Sequence, residues 1–152
     1  MKRINYTLFI VIALFLISCG EGNLNGKDAK KGTKAVWDIT EDPGIGPIDK
    51  VVLKELDPAL AEKGKEVFKT YCSACHKIKK KYIGPAVIGI TKNRTPEWIM
   101  NMIMNPDGMM ANNENAKKHF AEYAAPMANQ NMTEDQARSI LEYFRLRDSE
   151  KK

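Results

Sequence analysis

Cys72-Ser73-Ala74-Cys75-His76 is the most informative segment of this chain. It places two thiols three positions apart, with an imidazole directly after the second thiol. On one helical turn such thiols lie on the same side, so each sulfur can reach one of the two vinyl groups on a haem edge. The imidazole then falls beneath the iron and becomes an axial ligand. The motif therefore predicts one covalently attached haem, held by Cys72 and Cys75 with His76 on the iron.

A cysteine pair at this spacing also occurs in thioredoxin-like redox dithiols, structural disulfides and zinc sites. A thioredoxin-like site needs a βαβ context, but no strand-like run of valine and isoleucine precedes Cys72. A zinc site needs more ligands, but no other cysteine is nearby and the second of the two histidines is the distant His119. The sequence therefore favours haem over these alternatives.

The amino-terminal segment has the pattern of an export signal. Two basic residues precede an apolar run over residues 8–17, which is too short to span a bilayer comfortably. The run ends in Leu-Ile-Ser-Cys at residues 16–19, which resembles a bacterial lipobox. An ordinary signal peptide or an uncleaved anchor is the alternative. We predict a lipoprotein signal peptide over residues 1–18 and a lipid on Cys19.

Length and composition indicate one small globular domain with tails, since the chain has 152 residues, 43% of them hydrophobic and 28% charged. Residues 19–36 are rich in Gly, Asn and Lys and predict a flexible tether. Residues 37–56 predict an irregular extension with a short extended run at 51–53. Residues 57–148 form the predicted haem domain. The net charge of +5 comes from interleaved bases and acids, so we expect no nucleic-acid partner.

The predicted domain is all-α, with three to four helices wrapped around one haem. Start signals for its helices are present at Asp57-Pro58, at Thr95-Pro96, more weakly at Glu114, and at the capping box that begins with Thr133. Apolar residues recur at helical spacing on three of these segments. They are Leu60, Gly64, Val67, Phe68 and Tyr71; Trp98, Ile99, Met102 and Ile103; and Ala137, Ile140, Leu141 and Phe144.

This order of parts resembles the class I cytochromes c, which have one haem. The resemblance covers roughly residues 58–147 and includes the Cys-x-x-Cys-His motif, a Gly-Pro pair, a middle helix, a loop with Met and a closing helix. It implies a small cytochrome c fold in which the first and last helices cross where a small residue meets an aromatic one. Gly64 and Phe68 match this requirement with Tyr143 and Phe144.

The resemblance also implies roles for residues around the haem. The carbonyl oxygen of Pro85, in the Gly-Pro pair, would accept the Nδ1 proton of His76 and so fix its tautomer. Trp98 would approach a haem propionate, although a plain core tryptophan fits the sequence equally well. The cofactor is expected to be haem c, one per chain, with His76 as one of two axial ligands to its iron.

The second axial ligand determines whether the iron carries electrons or binds a small molecule, because a thioether there closes the site and raises the reduction potential. In the family this methionine precedes the closing helix by about half a dozen residues, which favours Met127 beside the stiffening Pro126. His119 lies among charged residues, which is more typical of a solvated side chain. The alternatives to Met127 are Met132, then Met109 and Met110 in expected irregular segments, and His119.

The resemblance implies an exported electron carrier that performs no bond chemistry and is therefore not an enzyme. We expect a monomer, anchored to a bacterial membrane by lipid on Cys19, with its haem domain facing the periplasm. A quinol oxidase complex is the expected donor and a terminal reductase or oxidase the expected acceptor. The stretch at residues 99–103 and the layout look similar to cytochromes encoded beside nitrous oxide reductases, which makes that enzyme the candidate acceptor.

Two further questions stay open at the level of sequence. Lys77, Lys79, Lys80 and Lys81 directly follow the motif, and they either guide an acidic redox partner to the haem edge or form an ordinary solvated run. The alternative function is a haem-based module that binds or senses a small molecule through an open or bis-His iron.

Overall fold

The computed structural model describes residues 41–123 and 125–150. The predicted signal peptide, the proposed lipid site at Cys19, the tether and residues 37–40 of the extension lie outside the described residues. In the described ranges all regular secondary structure is helical. The helices are α1 (Pro58–Tyr71), α2 (Ile90–Asn93), α3 (Pro96–Met104), α4 (Pro106–Asn112), α5 (Glu114–Phe120) and α6 (Glu134–Ser149). No described helix is both long and apolar enough to pass through a bilayer.

Helices α1, α3 and α6 begin at the predicted residues, and each has its capping hydrogen bonds. The Asp57 side chain accepts the N–H groups of Ala59 and Leu60, and Thr95 accepts one in the first turn of α3. At α6 both halves of the capping box between Thr133 and Gln136 are present. These starts follow from local chemistry, because a short polar side chain satisfies backbone donors that the first helical turn leaves unpaired.

The segment before α5 differs from its prediction. Met109 and Met110 were expected in an irregular stretch, and this was wrong, since both lie on α4. Asn105 caps this helix through the N–H of Gly108, and Pro106 occupies its first turn, where a missing N–H costs nothing. Asn105 and Asn113 thus each begin a short helix, and the segment between α3 and residue 120 forms two helices, α4 and α5.

Helices α1 and α6 cross in close contact, as predicted. A Cβ atom at Gly64 would collide with the backbone carbonyl of Ser139, so the helix backbones touch at this point. One turn further along, the ring of Phe68 lies 5.7 Å from those of Tyr143 and Phe144, edge-on to the latter. The small residue sets the distance between the helices, and the aromatic cluster fills the space beside it.

Helix α3 is buried on every side, which its predicted stripe does not explain. Residues 98–103 are all buried, including Met100 and Asn101. The opposite side is covered by residues 41–56, the described part of the extension, which as predicted is irregular and contains neither helix nor strand. The Asn101 amide accepts the N–H of Ile48 at 2.9 Å and donates to the carbonyls of Pro43 and Ile48. The helix therefore lies between the extension and the core.

Two buried acidic residues on α6 link distant parts of the chain. Glu142 accepts hydrogen bonds from Arg138, from Arg145 and from the backbone N–H of Asp57. Asp148 accepts the N–H groups of Gly89 and Thr91 and the Thr91 hydroxyl. These carboxylates satisfy backbone donors at the starts of α1 and α2 and so fix both segments against α6.

Candidate haem-binding cleft

An apolar cleft lies between α1, α3, α5 and α6, with an empty volume of about 1230 Å³ that includes its open mouth. Its walls are completed by the loops at residues 83–87 and 125–128. All residues predicted for the site line this cleft: Cys72, Cys75, His76, Pro85, Trp98 and Met127. The fold thus brings together residues that are up to 55 positions apart in the sequence.

The cysteine motif forms a tight turn at the carboxyl end of α1. Cys72 caps this helix, and its carbonyl oxygen accepts the N–H groups of Cys75 at 3.1 Å and of His76 at 2.9 Å. The thiol of Cys72 is half-buried and that of Cys75 is exposed. Burial, and to a lesser degree the neighbouring Cys75, raises the pKa of Cys72 to about 11. The turn presents both sulfurs and the imidazole to the same cleft.

The imidazole of His76 is oriented by the loop that follows it. The Nδ1 atom lies 3.1 Å from the carbonyl oxygen of Pro85. Because a carbonyl can only accept, Nδ1 carries the proton and Nε2 keeps its lone pair. Burial lowers the pKa of His76, and the hydrogen bond to Pro85 offsets this only in part. The ring is therefore neutral at pH 7, the form that binds a metal ion.

Gly84 allows this loop to approach the ring. Its N–H donates to the carbonyl of Cys75 at 2.9 Å, which folds the loop back over the motif. A Cβ atom at this position would come within 2.6 Å of Cε1 of His76. A glycine is therefore required by close contact with the imidazole, and Pro85 follows at the point where its carbonyl meets Nδ1.

The four methionines considered as ligands have different surroundings. Met127 is half-buried and lines the cleft. Met132 is buried in the hydrophobic core instead. Met109 is fully buried, and its sulfur accepts the N–H of Ile45 at 2.9 Å. Met110 is half-buried and is not part of the cleft wall. Of these four described residues, Met127 alone can present its thioether to the cleft.

The Trp98 indole is one of the few polar groups in a largely apolar wall. Its Nε1–H is buried and has no hydrogen-bond partner among the described residues. A buried donor of this kind costs about 1–3 kcal/mol unless an acceptor reaches it, and a haem propionate is such an acceptor. The guanidinium of the buried Arg94 lies 4.7 Å from the Trp98 ring centroid. Arg94 was not among the residues predicted for the site.

His119 was expected to be a solvated side chain, and this was wrong. It is only 6% exposed and lines the cleft, with its ring 5.0 Å from that of Tyr123. Burial lowers its pKa to about 4, and the nearby positive charge of Arg94 adds to the effect. The signal missed in the sequence is its place on α5 between the fully buried Ala116 and the cleft residue Phe120.

The residues present fit a covalently bound haem. Two thiols and a neutral imidazole stand at one end of the apolar cleft, a thioether lies on its wall, and an unpaired indole N–H is available for a propionate. The model of the family described as Cytochrome c matches residues 61–146. This chain belongs to the cytochrome c family. No curated protein sequence matches it.

Solved structures of cytochromes c give the same result. A cytochrome c from Rhodothermus marinus is 43% identical, with a TM-score of 0.67 over 68% of this chain and 90% of that one. An engineered form of that protein, bound to a carbene intermediate, has a TM-score of 0.64 at 43% identity over 68% and 91%. The cytochrome c domain of a Pseudomonas putida protein has 26% identity and a TM-score of 0.53 over 57% and 89%.

Family membership confirms the predicted fold class and cofactor. The domain is a small all-α cytochrome c fold, and it carries covalently bound haem c with its iron. Electron transfer in general follows, because cytochromes c are typically electron carriers rather than enzymes, and they typically act after export.

Proposed function

We propose that this cytochrome c relays single electrons through one haem whose iron is held by His76 and Met127, and that it catalyses no bond chemistry. The observation that carries the proposal is the position of Met127. It lines the cleft together with both cysteines and His76, whereas Met132 packs in the core. Bound haem c would supply a one-electron iron couple, and a thioether ligand would raise its potential.

The residues of the cleft suit a protein that transfers electrons without binding a substrate at its iron. Its wall is almost entirely apolar, so water is kept from the haem face and the oxidised state is less favoured. Pro85 holds the His76 ring through Nδ1, so the ring does not turn when the iron changes charge. With the half-buried Met127 on the iron, no open position would remain for a substrate.

The region around the motif suits docking of a redox protein. Tyr71, Tyr82 and Ile83 are large exposed apolar side chains beside the exposed Cys75. The exposed Lys79, Lys80 and Lys81 follow closely in the chain. An apolar centre with a basic rim fits an acidic partner, because charge steers the encounter while the apolar contact excludes water.

We propose the wider setting from the sequence. Lipid on Cys19 would anchor the protein to a bacterial membrane, and the tether would let a monomeric haem domain move on the periplasmic side. The proposed donor is a quinol oxidase complex and the proposed acceptor a terminal reductase or oxidase, with nitrous oxide reductase as candidate. Support comes from the lipobox-like Leu-Ile-Ser-Cys at residues 16–19 and from the usual export of cytochromes c.

The visible spectrum of the matured protein, oxidised and reduced, with and without carbon monoxide, tests the proposal. We expect the far-red band of methionine bound to ferric iron and no response to carbon monoxide. Met127→Ala should abolish the band, while Met132→Ala, the matched control, should keep it. A band that survives in Met127→Ala would overturn the assignment, and a ready response of the unmodified protein to carbon monoxide would indicate a sensor or binding module.

The buried position of His119 favours one second candidate, a bis-His iron with a lower potential. This imidazole lines the same cleft and is uncharged at pH 7. A protein of that kind would lack the far-red band, and His119→Leu would change its spectrum while Met127→Ala would not.

A further inference from the structure

Helices α4 and α5 have few supports within the helical part of the fold. Among the described helices, the backbone of α5 lies close to α4 alone and the backbone of α4 lies close to α3 and α5, so neither backbone approaches the crossed pair α1 and α6. Their link to that pair is through apolar side chains of the common core. Yet α5 supplies His119 and Phe120 to the wall of the cleft, and the loop that carries Met127 follows it. Polar contacts from outside the crossed helices are therefore needed to fix the position of this wall.

The extension provides the missing contacts. The Asp42 carboxylate accepts hydrogen bonds from the side-chain amides of Asn113, at 2.9 and 3.0 Å, and Asn115, at 2.7 Å. The N–H of Ile45 donates to the Met109 sulfur, and its carbonyl accepts from Asn105 at 3.1 Å. The extension is thus hydrogen-bonded to both helices and to the residue that caps α4.

The extension is itself fixed to α3. Thr95 donates its hydroxyl to the Asp42 carbonyl at 2.7 Å, and Glu97 accepts the N–H of Val51 at 2.7 Å. The Asn101 side chain accepts the N–H of Ile48 and donates to the carbonyl of the same residue. The turn between these points needs Gly44, whose φ of +75° is unfavourable for other residues.

Asp42 is suited to hold the two parts together as an anion. Burial raises the pKa of its carboxyl, but the hydrogen bonds from Asn115, Asn113 and the N–H of Gly44, with the charge of Arg94, outweigh it and lower the pKa overall. Hydrogen bonds to a charged acceptor are about twice as strong as neutral ones. They connect the rigid α3 side to the start of α5.

We infer that the extension is a brace that keeps α4 and α5 closed against the cleft, and that Asp42 is its positioning residue. The brace keeps the loop after α5 in place, so that the Met127 thioether stays on the iron. This inference rests on the proposed methionine ligation. An added ligand can bind the iron only when the loop has opened and Met127 has left it. The apparent affinity of that ligand therefore depends on the fraction of molecules in which the loop is open.

Imidazole binding to the ferric holoprotein tests the brace, with Asp42→Ala compared to Asp49→Ala. Asp49 lies exposed on the same extension, and its side chain accepts no hydrogen bond from the described residues. Asp49→Ala therefore removes the same charge as Asp42→Ala without removing a contact to α4 or α5. We expect Asp42→Ala to bind imidazole at least roughly tenfold more tightly, because each lost hydrogen bond to a charged carboxylate corresponds to about tenfold to a hundredfold. Asp49→Ala should match the unmodified protein.

Equal imidazole affinities in Asp42→Ala and Asp49→Ala would overturn the brace. If Asp42→Ala does not mature with haem, Asn115→Ala removes one of the same hydrogen bonds and should tighten imidazole binding by a smaller factor; an unchanged affinity there would overturn the inference equally. The spectrum of the unmodified protein separates the two proposals. Absence of the far-red band would contradict methionine ligation, whereas its presence with unchanged affinities would contradict only the brace.

Discussion

Gly64 on α1 touches the backbone carbonyl of Ser139 on α6, with no room for a Cβ atom between them. This contact fixes how closely α1, which leads into the motif, crosses α6, which forms part of the cleft wall. The end of α1 positions Cys72, and α6 supplies Ile140 and Phe144 to the cleft wall. The distance between the helix backbones therefore determines where the haem edge can lie.

Replacing Gly64 by Ala should destabilise the holoprotein, although Ala is the better helix former by about 1 kcal/mol. The added methyl group meets backbone, which cannot move aside as a side chain can, so we expect a loss of at least about 1–3 kcal/mol in the free energy of unfolding. Urea unfolding followed by circular dichroism measures it. Lys63→Ala, on the exposed side of the same helix, should change it little, and equal stability of the two variants would contradict the crossing.

Gly84→Ala should raise the reduction potential. The new Cβ would lie 2.6 Å from Cε1 and 2.9 Å from Nδ1 of His76, so the ring must turn away from Pro85. Without that hydrogen bond the imidazole is a weaker electron donor, so ferric iron is stabilised less. A loss of about 1 kcal/mol corresponds to a rise of roughly 40 mV in the reduction potential of a one-electron couple. Protein-film voltammetry measures the potential; an unchanged or lower value would argue against this role of the loop.

Glu142→Gln should lower the free energy of unfolding at pH 7 by about 2–3 kcal/mol, the worth of hydrogen bonds to a buried charge. Burial raises the pKa of Glu142, but bonds from Asp57, Arg138 and Arg145 outweigh it, so the folded pKa lies below the usual 4.5. The stabilisation is then complete above about pH 4.5 and is lost as the pH falls through the folded pKa.

Urea unfolding of Glu142→Gln at several pH values checks this sign. The difference from the unmodified protein should shrink steadily below pH 4.5. Glu134→Gln removes an exposed carboxylate in the first turn of the same helix and should cost well under 1 kcal/mol. A difference that grows on acidification would show that Glu142 is protonated in the fold.

Reversing the charges of Lys79 and Lys80 to Glu should slow electron exchange with anionic small redox complexes by roughly tenfold at low salt and speed it with cationic ones. Both side chains are exposed close to the motif. Stopped-flow rates at increasing ionic strength measure the effect, which should fade as salt screens it. Reversal of Lys50 and Lys54, on the extension, has the same net charge and should change the rates less. Equal effects of both pairs would favour an ordinary solvated run.

Much of the site could be predicted because its chemistry is local. The motif occupies one turn, and the caps at Asp57, Thr95 and Thr133 bind backbone groups within three residues. The motif and the helix starts can therefore be predicted from a short stretch of sequence. Buried polar contacts could not be predicted in this way. Asn101 and Ile48 are 53 residues apart, and nothing near either one indicates the other.

The cofactor, the thiols and histidine expected to hold it, and the starts of the main helices could be predicted from the sequence, because they depend on residue spacing and short-range hydrogen bonds. The packed fold was needed to show that His119 is buried, that Met109 packs under the extension and that Met127, not Met132, lines the cleft. The physical reason is that burial is a property of the packed chain: a side chain meets water or the core according to which distant segment covers it.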